Sequence, residues 1–517
     1  MSTNLESFQS EESCDTRDLV QLPLRRTGKL VKPLNGGAEP PRALKSLAQI
    51  IENDLCHRCG SCVGICPTSV LGVDDEEFPV VQNMSACTDC DLCVKVCPGD
   101  EFNAPAVSKE MFAEQPDIWD MHGSFQSGYI SYVKDPEIRE KSTSGGFVSG
   151  LLISLLERGE IDGALVIKAD PKTHYKGIPT IARSREEIFA ATKSKYAIVP
   201  TNTAFREIRE VPGRYAIVGL PCQIHGYHKA AALDKRIRDR VVLTVGLLCH
   251  AAIEHDPLKI LFDNLGDQKK EVARFIYRVG KHPGASYAVM NNGKSVPVLF
   301  PKSKNYQPTA IEMMNILYRL YTPMRCMTCY DSMVEFADIA VGDPWMPQPR
   351  EDVDFYQGYS YLMTRTERGE KLLHRAASAP SLGLELLKLS ASATKTCCVA
   401  MGTEKRKRAF RLLDSRKRAG LPVPNYGFEI PKAHGKKKLK HAIEAEVNLI
   451  THWFCFSTRF RDSVLRFWIS PVGFVILRAN RMRRDFKEWY RNFSAERRRK
   501  RHSVNDIVAH AAPTEEW

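Results

Sequence analysis

"RYAIVGLPCQIHGYHKAAAL" (residues 214–233) and "RVVLTVGLLCHAAIEH" (residues 240–255) decide the fold. The first reads as a buried strand, a tight Gly-Leu-Pro turn and a helix, with Cys222 where the turn meets the helix. The second reads the same way, with Cys249 just past its strand. Strand, helix, strand is a βαβ unit, whose strands run parallel and often lie side by side, so their carboxyl ends open on one edge of a sheet. The predicted fold class is therefore α/β, and Cys222 and Cys249 are expected close together at a ligand-binding edge.

Most of the other cysteines obey a stricter grammar. Of the sixteen in the chain, eight lie in "CHRCGSCVGICP" (Cys56, Cys59, Cys62, Cys66) and "CTDCDLCVKVCP" (Cys87, Cys90, Cys93, Cys97). Each run is C-x2-C-x2-C-x3-C-P, the bacterial ferredoxin spacing. Two-residue gaps let one tight loop present three thiolates to a [4Fe-4S] cube, while the fourth cysteine points to the other cube. Cys56, Cys59, Cys62 and Cys97 are thus expected on one cluster, and Cys87, Cys90, Cys93 and Cys66 on the second. Zinc ribbons use two separated CxxC pairs rather than a fourfold run closed by proline.

A third group is incomplete on its own. "RCMTCYDSMVEFADIAVGDPW" (325–345) carries Cys326 and Cys329, half of a four-ligand site, with no second pair nearby. Cys222 and Cys249, at the predicted sheet edge, complete it. Taken singly, each would pass for a small buried hydrophobe. Four thiolates arriving as one, one and a CxxC suit a third [4Fe-4S] cluster or a four-cysteine zinc site, and the redox neighbours favour the cluster. Cys14, Cys397, Cys398 and Cys455 have no ligand spacing and read as bland thiols.

In "KSTSGGFVSGLLISLLERGEIDGALVI" (141–167), Ser142, Thr143, Ser144, Gly145 and Gly146 open an apolar helix that leads to a strand. Free amides at such an N-terminus bind phosphate, although a plain N-cap explains the same residues. Lys195 and Tyr196, in "TKSKYAIVPTNTAF", face either a ligand or solvent. His225, His228 and His250 lie near the cysteines in sequence but read as surface or supporting residues as readily as proton donors. Asp331 and Asp343 read equally well as turn caps. No catalytic acid or base is singled out.

At 517 residues, 43% apolar and 26% charged, the chain has the balance of a multidomain soluble protein. Its first residues lack the apolar core of a secretory signal, and no apolar run reaches the roughly 18 residues a bilayer span needs. The expected location is the cytoplasm, with a peripheral position at the inner membrane face as an option. The net charge is +13, and residues 428–517 hold 19 Lys/Arg against 10 Asp/Glu. Mixed there with aromatic and aliphatic residues, these charges read as basic amphipathic helices for an anionic membrane surface or an acidic partner; a solvated cap, or nucleic acid without a recognised motif, is weaker. The expected organisation is a disordered arm (1–45), an α+β ferredoxin-like module (46–105), a mixed α/β domain (125–427) and a helical tail (428–517).

From "KSTSGGFVSGLLISLLERGEIDGALVI" through "SKYAIVPTN", "GLPCQ", "VGLLCH", "RCMTCYDSMVEFADIAVGD" and "KRKRAFRLLDSRKRAGLPVPNYGF", the chain resembles the coenzyme F420 hydrogenase/dehydrogenase beta-subunit family. The resemblance implies FAD, with Ser144, Gly145, Gly146, Lys195 and Tyr196 in the flavin region and Cys222, Cys249, Cys326 and Cys329 on the cluster beside it. It also implies hydride exchange with a deazaflavin or another organic substrate and electron flow through iron-sulfur clusters. Because one branch of the family reduces a chlorophyll derivative and others accompany surface-polysaccharide genes, the second substrate stays open. Two other functions compete: an electron-transfer subunit or ferredoxin-like carrier serving a partner enzyme, and a cluster-bearing sensor whose basic tail binds nucleic acid.

Overall fold

A computed structural model describes residues 40–431, apart from 264, 280–284, 299–320, 347–352, 354, 356–357 and 380–382, together with scattered positions between 463 and 486. The chain divides into two compact units, 1–458 and 459–517. In the second, Phe467, Val472, Val475, Met482 and Phe486 are helical and exposed. Residues 432–462 and 487–517 of the basic tail, and residues 1–39 of the expected disordered arm, lie outside the described residues.

The first unit opens with helix α1 (Arg42–Glu52), which starts inside the stretch expected to be disordered. Leu44, Leu47, Ile50 and Ile51 recur at helical spacing and are buried. Two cysteine loops follow, each ending in a short helix, α2 (Ser61–Ile65) and α3 (Leu92–Lys95), with the antiparallel hairpin of β1 (Leu71–Val73) and β2 (Pro79–Val81) between them.

The larger part is built on an eight-stranded sheet. In chain order its members are β3 (Ser127–Val133), β4 (Gly163–Ala169), β5 (Gly177–Ala182), β6 (Tyr215–Gly219) and β7 (Val241–Leu247). A separate antiparallel sheet of β8 (Val272–Val279), β9 (Ala285–Met290) and β10 (Ser295–Pro297) intervenes before β11 (Ile339–Gly342), β12 (Ser360–Thr364) and β13 (Leu384–Leu389) complete the large one. The large sheet's order is β13-β3-β12-β11-β7-β6-β4-β5. The central strands β4, β6, β7 and β11 are parallel, and antiparallel strands flank them on both sides. β6 and β7 are parallel neighbours as the βαβ pattern requires, with Gly219 opposite Gly246.

These central strands are mostly apolar because both faces are covered, Thr244 of β7 and Lys168 near the end of β4 being the exceptions. On one face Ala164, Val166, Ala216, Leu243 and Val245 pack with helices α4 (Phe147–Glu157) and α6 (Glu367–Ala377). On the other, Leu165, Tyr215 and Ile217 join helix α5 (Pro221–Leu233) in one core with α1, α2 and the cysteine loops. Alternate residues of β4 and β6 thus serve opposite layers, as the two-residue period of a strand dictates. The ferredoxin-like module is a covering layer of the sheet, not a separate bead. Helix α7 (Val399–Arg418) and the segment after it seal this layer: Phe410, Leu413 and Tyr426 enter the shared core, and the amides of Phe102 and Ala104 donate to the carbonyls of Asn425 and Tyr426.

Candidate functional site

The two cysteine loops sit flush against the sheet domain. Gly60 has φ +85°, and a Cβ there would come within 2.6 Å of the Pro200 carbonyl oxygen, so glycine is required by both conformation and contact. The Asn202 amide donates to the Cys59 carbonyl at 2.9 Å, and its side-chain nitrogen donates to Ser61 Oγ and the Gln223 carbonyl, each at 2.9 Å. Arg58 forks onto Glu254 at 2.7 and 2.5 Å and donates to the Glu76 carbonyl at 3.0 Å.

The electrostatics sort twelve cysteines into three groups of four. Burial, then the neighbouring charges of Cys97 and Cys59, raise Cys56 to about 12. Cys62 is held up by burial and then by Cys56, Cys97 and Cys59. Burial followed by Cys66, Cys90 and Cys87 raises Cys93 to about 12. Cys97 thus lies beside the thiols of the first run, and Cys66 beside those of the second. Burial also raises Cys222, which feels Cys59, Cys326, Cys249 and Cys329 in turn. The two cysteines past β6 and β7 thus meet the CxxC, which β11 follows. The Cys249 amide donates to the Ser332 carbonyl at 3.0 Å, so the segment between the CxxC and β11 returns along the sheet past β7. Among the described residues, no three His, Cys, Asp or Glu side chains converge closely enough to hold a single metal ion.

The three groups lie in series. Cys62 feels Cys93 of the outermost group, Cys222 feels Cys59 of the middle one, and Cys249 lines a cavity beyond. At the far end Cys90 is exposed and Cys66 and Cys87 are partly so. Buried cations brace the series. Arg325 donates to the carbonyls of Leu55 at 3.1 Å and Pro98 at 3.4 Å, and to Thr328 Oγ1 at 3.1 Å and the Tyr426 hydroxyl at 2.9 Å. Lys405 Nζ donates to the carbonyls of Cys249 at 2.6 Å and Asp331 at 2.7 Å. Burial works against its charge, but Cys329, Cys249 and Asp331 hold Lys405 above its ordinary value.

The cavity measures about 550 Å³ and opens where α4 begins. Ser142, Thr143, Ser144, Gly146, Lys195 and Tyr196 line it, whereas Gly145 supports it from behind: its φ is +79°, and a Cβ there would lie 2.9 Å from the Gly358 carbonyl oxygen. No side chain caps α4. Ser144 Oγ donates to the Asp343 carboxylate, which also accepts from Arg278 at 2.6 Å, and Arg278 bonds the Tyr196 hydroxyl in turn. Lys195 turns away. Its Nζ donates to the carbonyls of Ala191, Thr192 and Lys193 at 2.8, 3.0 and 3.1 Å, while burial and then Arg274 lower it to about 7. Its ammonium therefore closes the chain after a helix, and only its stem borders the cavity.

The three histidines divide similarly. His225 Nε2 meets Asp331 Oδ2 at 3.1 Å, and its ring stacks on Phe102 at 3.8 Å; His228 Nε2 is 2.7 Å from the Phe336 carbonyl. Only His250 of the three lines the cavity. Asp331 serves His225 and the amides of Met333 and Glu335, not a ligand. Arg58, Arg278, Arg325 and Lys405 are absent from the sequence reading because nothing local distinguishes them from surface cations.

Known proteins match this layout segment by segment. Residues 129–206 match the N-terminal model, and residues 213–388 the C-terminal model, of "Coenzyme F420 hydrogenase/dehydrogenase, beta subunit"; residues 48–98 match a 4Fe-4S dicluster domain. The chain belongs to the coenzyme F420 hydrogenase/dehydrogenase beta-subunit family. This family is one of iron-sulfur oxidoreductase subunits, and here it carries an N-terminal dicluster domain. The F subunit of the F(420)H(2) dehydrogenase of Methanosarcina mazei is 25% identical over 67% of this chain and 90% of its own length. The coenzyme F420-dependent sulfite reductase of Methanocaldococcus jannaschii is 27% identical over 66% of this chain, which spans about half (48%) of that relative. The beta subunit of the coenzyme F420 hydrogenase of Methanothermobacter thermautotrophicus is 27% identical over 58% of this chain and 99% of its own length. Among the described residues no helix is long and apolar enough to cross a membrane.

Proposed function

We propose that this family member passes electrons between an organic hydride carrier and three [4Fe-4S] clusters by way of FAD. The observation that carries this reading is the serial order of three all-cysteine groups ending at a cavity that Cys249 helps to line. Clustered buried thiols are costly to ionise because the thiolates would repel one another, and bound iron supplies the opposing charge, so the donor sets fit clusters. Cys56, Cys59, Cys62 and Cys97 would hold one, Cys66, Cys87, Cys90 and Cys93 the second, and Cys222, Cys249, Cys326 and Cys329 the third.

The cavity's residues fit a flavin nucleotide. The uncapped start of α4, bordered by Ser142, Thr143, Ser144 and Gly146, offers amides to a phosphate. Val166, Leu247 and Val341 offer an apolar wall to a ring, and the Ser144–Asp343–Arg278–Tyr196 network fixes polar atoms beside it. When bound, FAD exchanges electrons in pairs with a hydride carrier and singly with clusters. The chain's part is to hold these groups in line, exclude water from the buried inner sets and leave the outer set near Cys90 open to a redox protein. The names of the relatives favour a reduced F420-like deazaflavin as the carrier.

Iron, acid-labile sulfide and flavin per chain, measured on anaerobically purified protein and on Cys326→Ala/Cys329→Ala, test the reading. At four irons per cube, about twelve irons with one FAD should fall to about eight in the double variant. About eight irons in both, without flavin, would replace it with a two-cluster carrier.

A further inference from the structure

Cys397 and Cys398 are consecutive and deeply buried, at 0% and 3% exposure, yet Cys398 lines the cavity. Their Sγ atoms are 3.6 Å apart, and both thiols donate to the Asp343 carbonyl, at 3.7 and 3.9 Å. The backbone is arranged to bring them together. Cys398 has φ +58°, unusual for a residue with a Cβ, and its amide donates to the Trp345 carbonyl at 3.0 Å. The Cys397 carbonyl is held by His122 Nε2 at 3.0 Å. Trp345 and Met401, both substantially exposed, line the same cavity, which gives a small molecule a way to the Cys398 sulfur.

We infer that Cys397 and Cys398 are a redox modification site, a dithiol that closes to a disulfide by exchange with a small organic disulfide entering the cavity. The Cys398 thiolate attacks one sulfur of the incoming disulfide, forming a mixed disulfide and releasing one thiolate. Cys397 then gives up its proton and attacks Cys398 Sγ, forming the internal bond and releasing the second thiolate. The protein loses two electrons and two protons, and the organic disulfide leaves as two thiols. The disulfide enters beside Trp345 and Met401, so the inference requires that side of the cavity to stay open when a cofactor is bound.

Closure would reach both ends of the site. Consecutive Cα atoms are about 3.8 Å apart, below the usual disulfide range, so the backbone at Cys398 must rearrange as the bond forms. Cys398 is the residue from which α7 departs, and α7 carries Met401 into the cavity wall and Lys405 onto the Cys249 and Asp331 carbonyls. A strained disulfide of this kind is readily reduced again, as a reversible switch requires.

The test uses the anaerobically purified full-length holoprotein, equilibrated with graded glutathione/glutathione disulfide mixtures, acid-quenched, alkylated under denaturing conditions and mapped by peptide mass spectrometry. The peptide spanning Cys397 and Cys398 should lose two hydrogens and resist alkylation until reduced. Its oxidised fraction should follow a two-electron titration, about 30 mV per tenfold change in the disulfide-to-dithiol ratio, while iron per chain is unchanged. Cys397→Ala should stop at one glutathionyl group on Cys398. Both cysteines alkylated throughout the titration, or glutathione retained on Cys398 in the wild type, would overturn the inference.

Discussion

The outer and inner halves of the cysteine series solve the same problem in opposite ways. The dicluster loops hold all eight of their cysteines within two twelve-residue runs, with Cys97 near the first run's thiols and Cys66 near the second's. The inner set gathers Cys222, Cys249 and the CxxC from segments that span about a hundred residues, and it exists only once β6, β7 and β11 lie side by side. The first is local geometry and the second is topology. Yet the structure does not leave them independent, because the loops themselves form one layer of the sheet's core.

The largest test of that dependence is Arg325→Leu. One guanidinium holds the Leu55 and Pro98 carbonyls on one side of the junction and Thr328 and Tyr426 on the other. Losing it leaves buried acceptors unpaired and should cost roughly 3–5 kcal/mol, lower Tm and reduce iron in both halves. Selective loss of only four irons would mean the halves assemble separately.

Lys405→Met separates them electrostatically. Removing the buried cation beside Cys249, Cys326 and Cys329 should make the inner centre harder to reduce, by on the order of 60 mV, the one-electron equivalent of a tenfold change. The dicluster signals in a spectroscopic redox titration should stay in place; an equal shift in all centres would contradict the separation.

The smallest effect is expected at Asp234, which pairs with Arg209 at 2.8 Å while Arg209 donates to the Ile65 carbonyl at 3.0 Å. Hydrogen bonds from Arg236 and then Arg209 hold Asp234 at about 2, below its ordinary 3.8. Since the unfolded chain binds this proton more readily, the contribution is complete above about pH 4 and is lost as the pH falls toward 2. Asp234→Ala should cost about 1 kcal/mol at pH 7, where solvent screens the pair, and should flatten the acid limb of a Tm-against-pH curve.

What was legible in the sequence follows the same division. The eight-cysteine grammar and the parallel β6–β7 pair are written in neighbouring residues, and both stand in the fold. The meeting of Cys222 and Cys249 with Cys326 and Cys329 could be reasoned from the sheet edge because βαβ units have few alternatives. Lys195 illustrates what could not be read: three nearby carbonyls claim its ammonium, although the residue borders the cavity. The close packing of the 46–105 segment on 125–427 was likewise not legible: Phe102 stacks on His225 and Arg58 forks onto Glu254, contacts between residues far apart in sequence. Adjacent cysteines at 397 and 398 match no ligand spacing, and their relation to the cavity depends on where α7 begins.

Asn425 and Tyr426 close over Glu101, Phe102 and Ala104, so the far end of the sheet domain becomes the lid of the first module made. A growing chain lacks that lid while some 324 further residues (425 minus 101) are added, tens of seconds at typical synthesis rates of about 5–20 residues per second. Biogenesis therefore has a natural window. Iron delivered to nascent chains should reach the eight dicluster cysteines (Cys56 to Cys97) before closure, and chains stalled ahead of residue 421 should exchange that iron with chelators faster than completed ones.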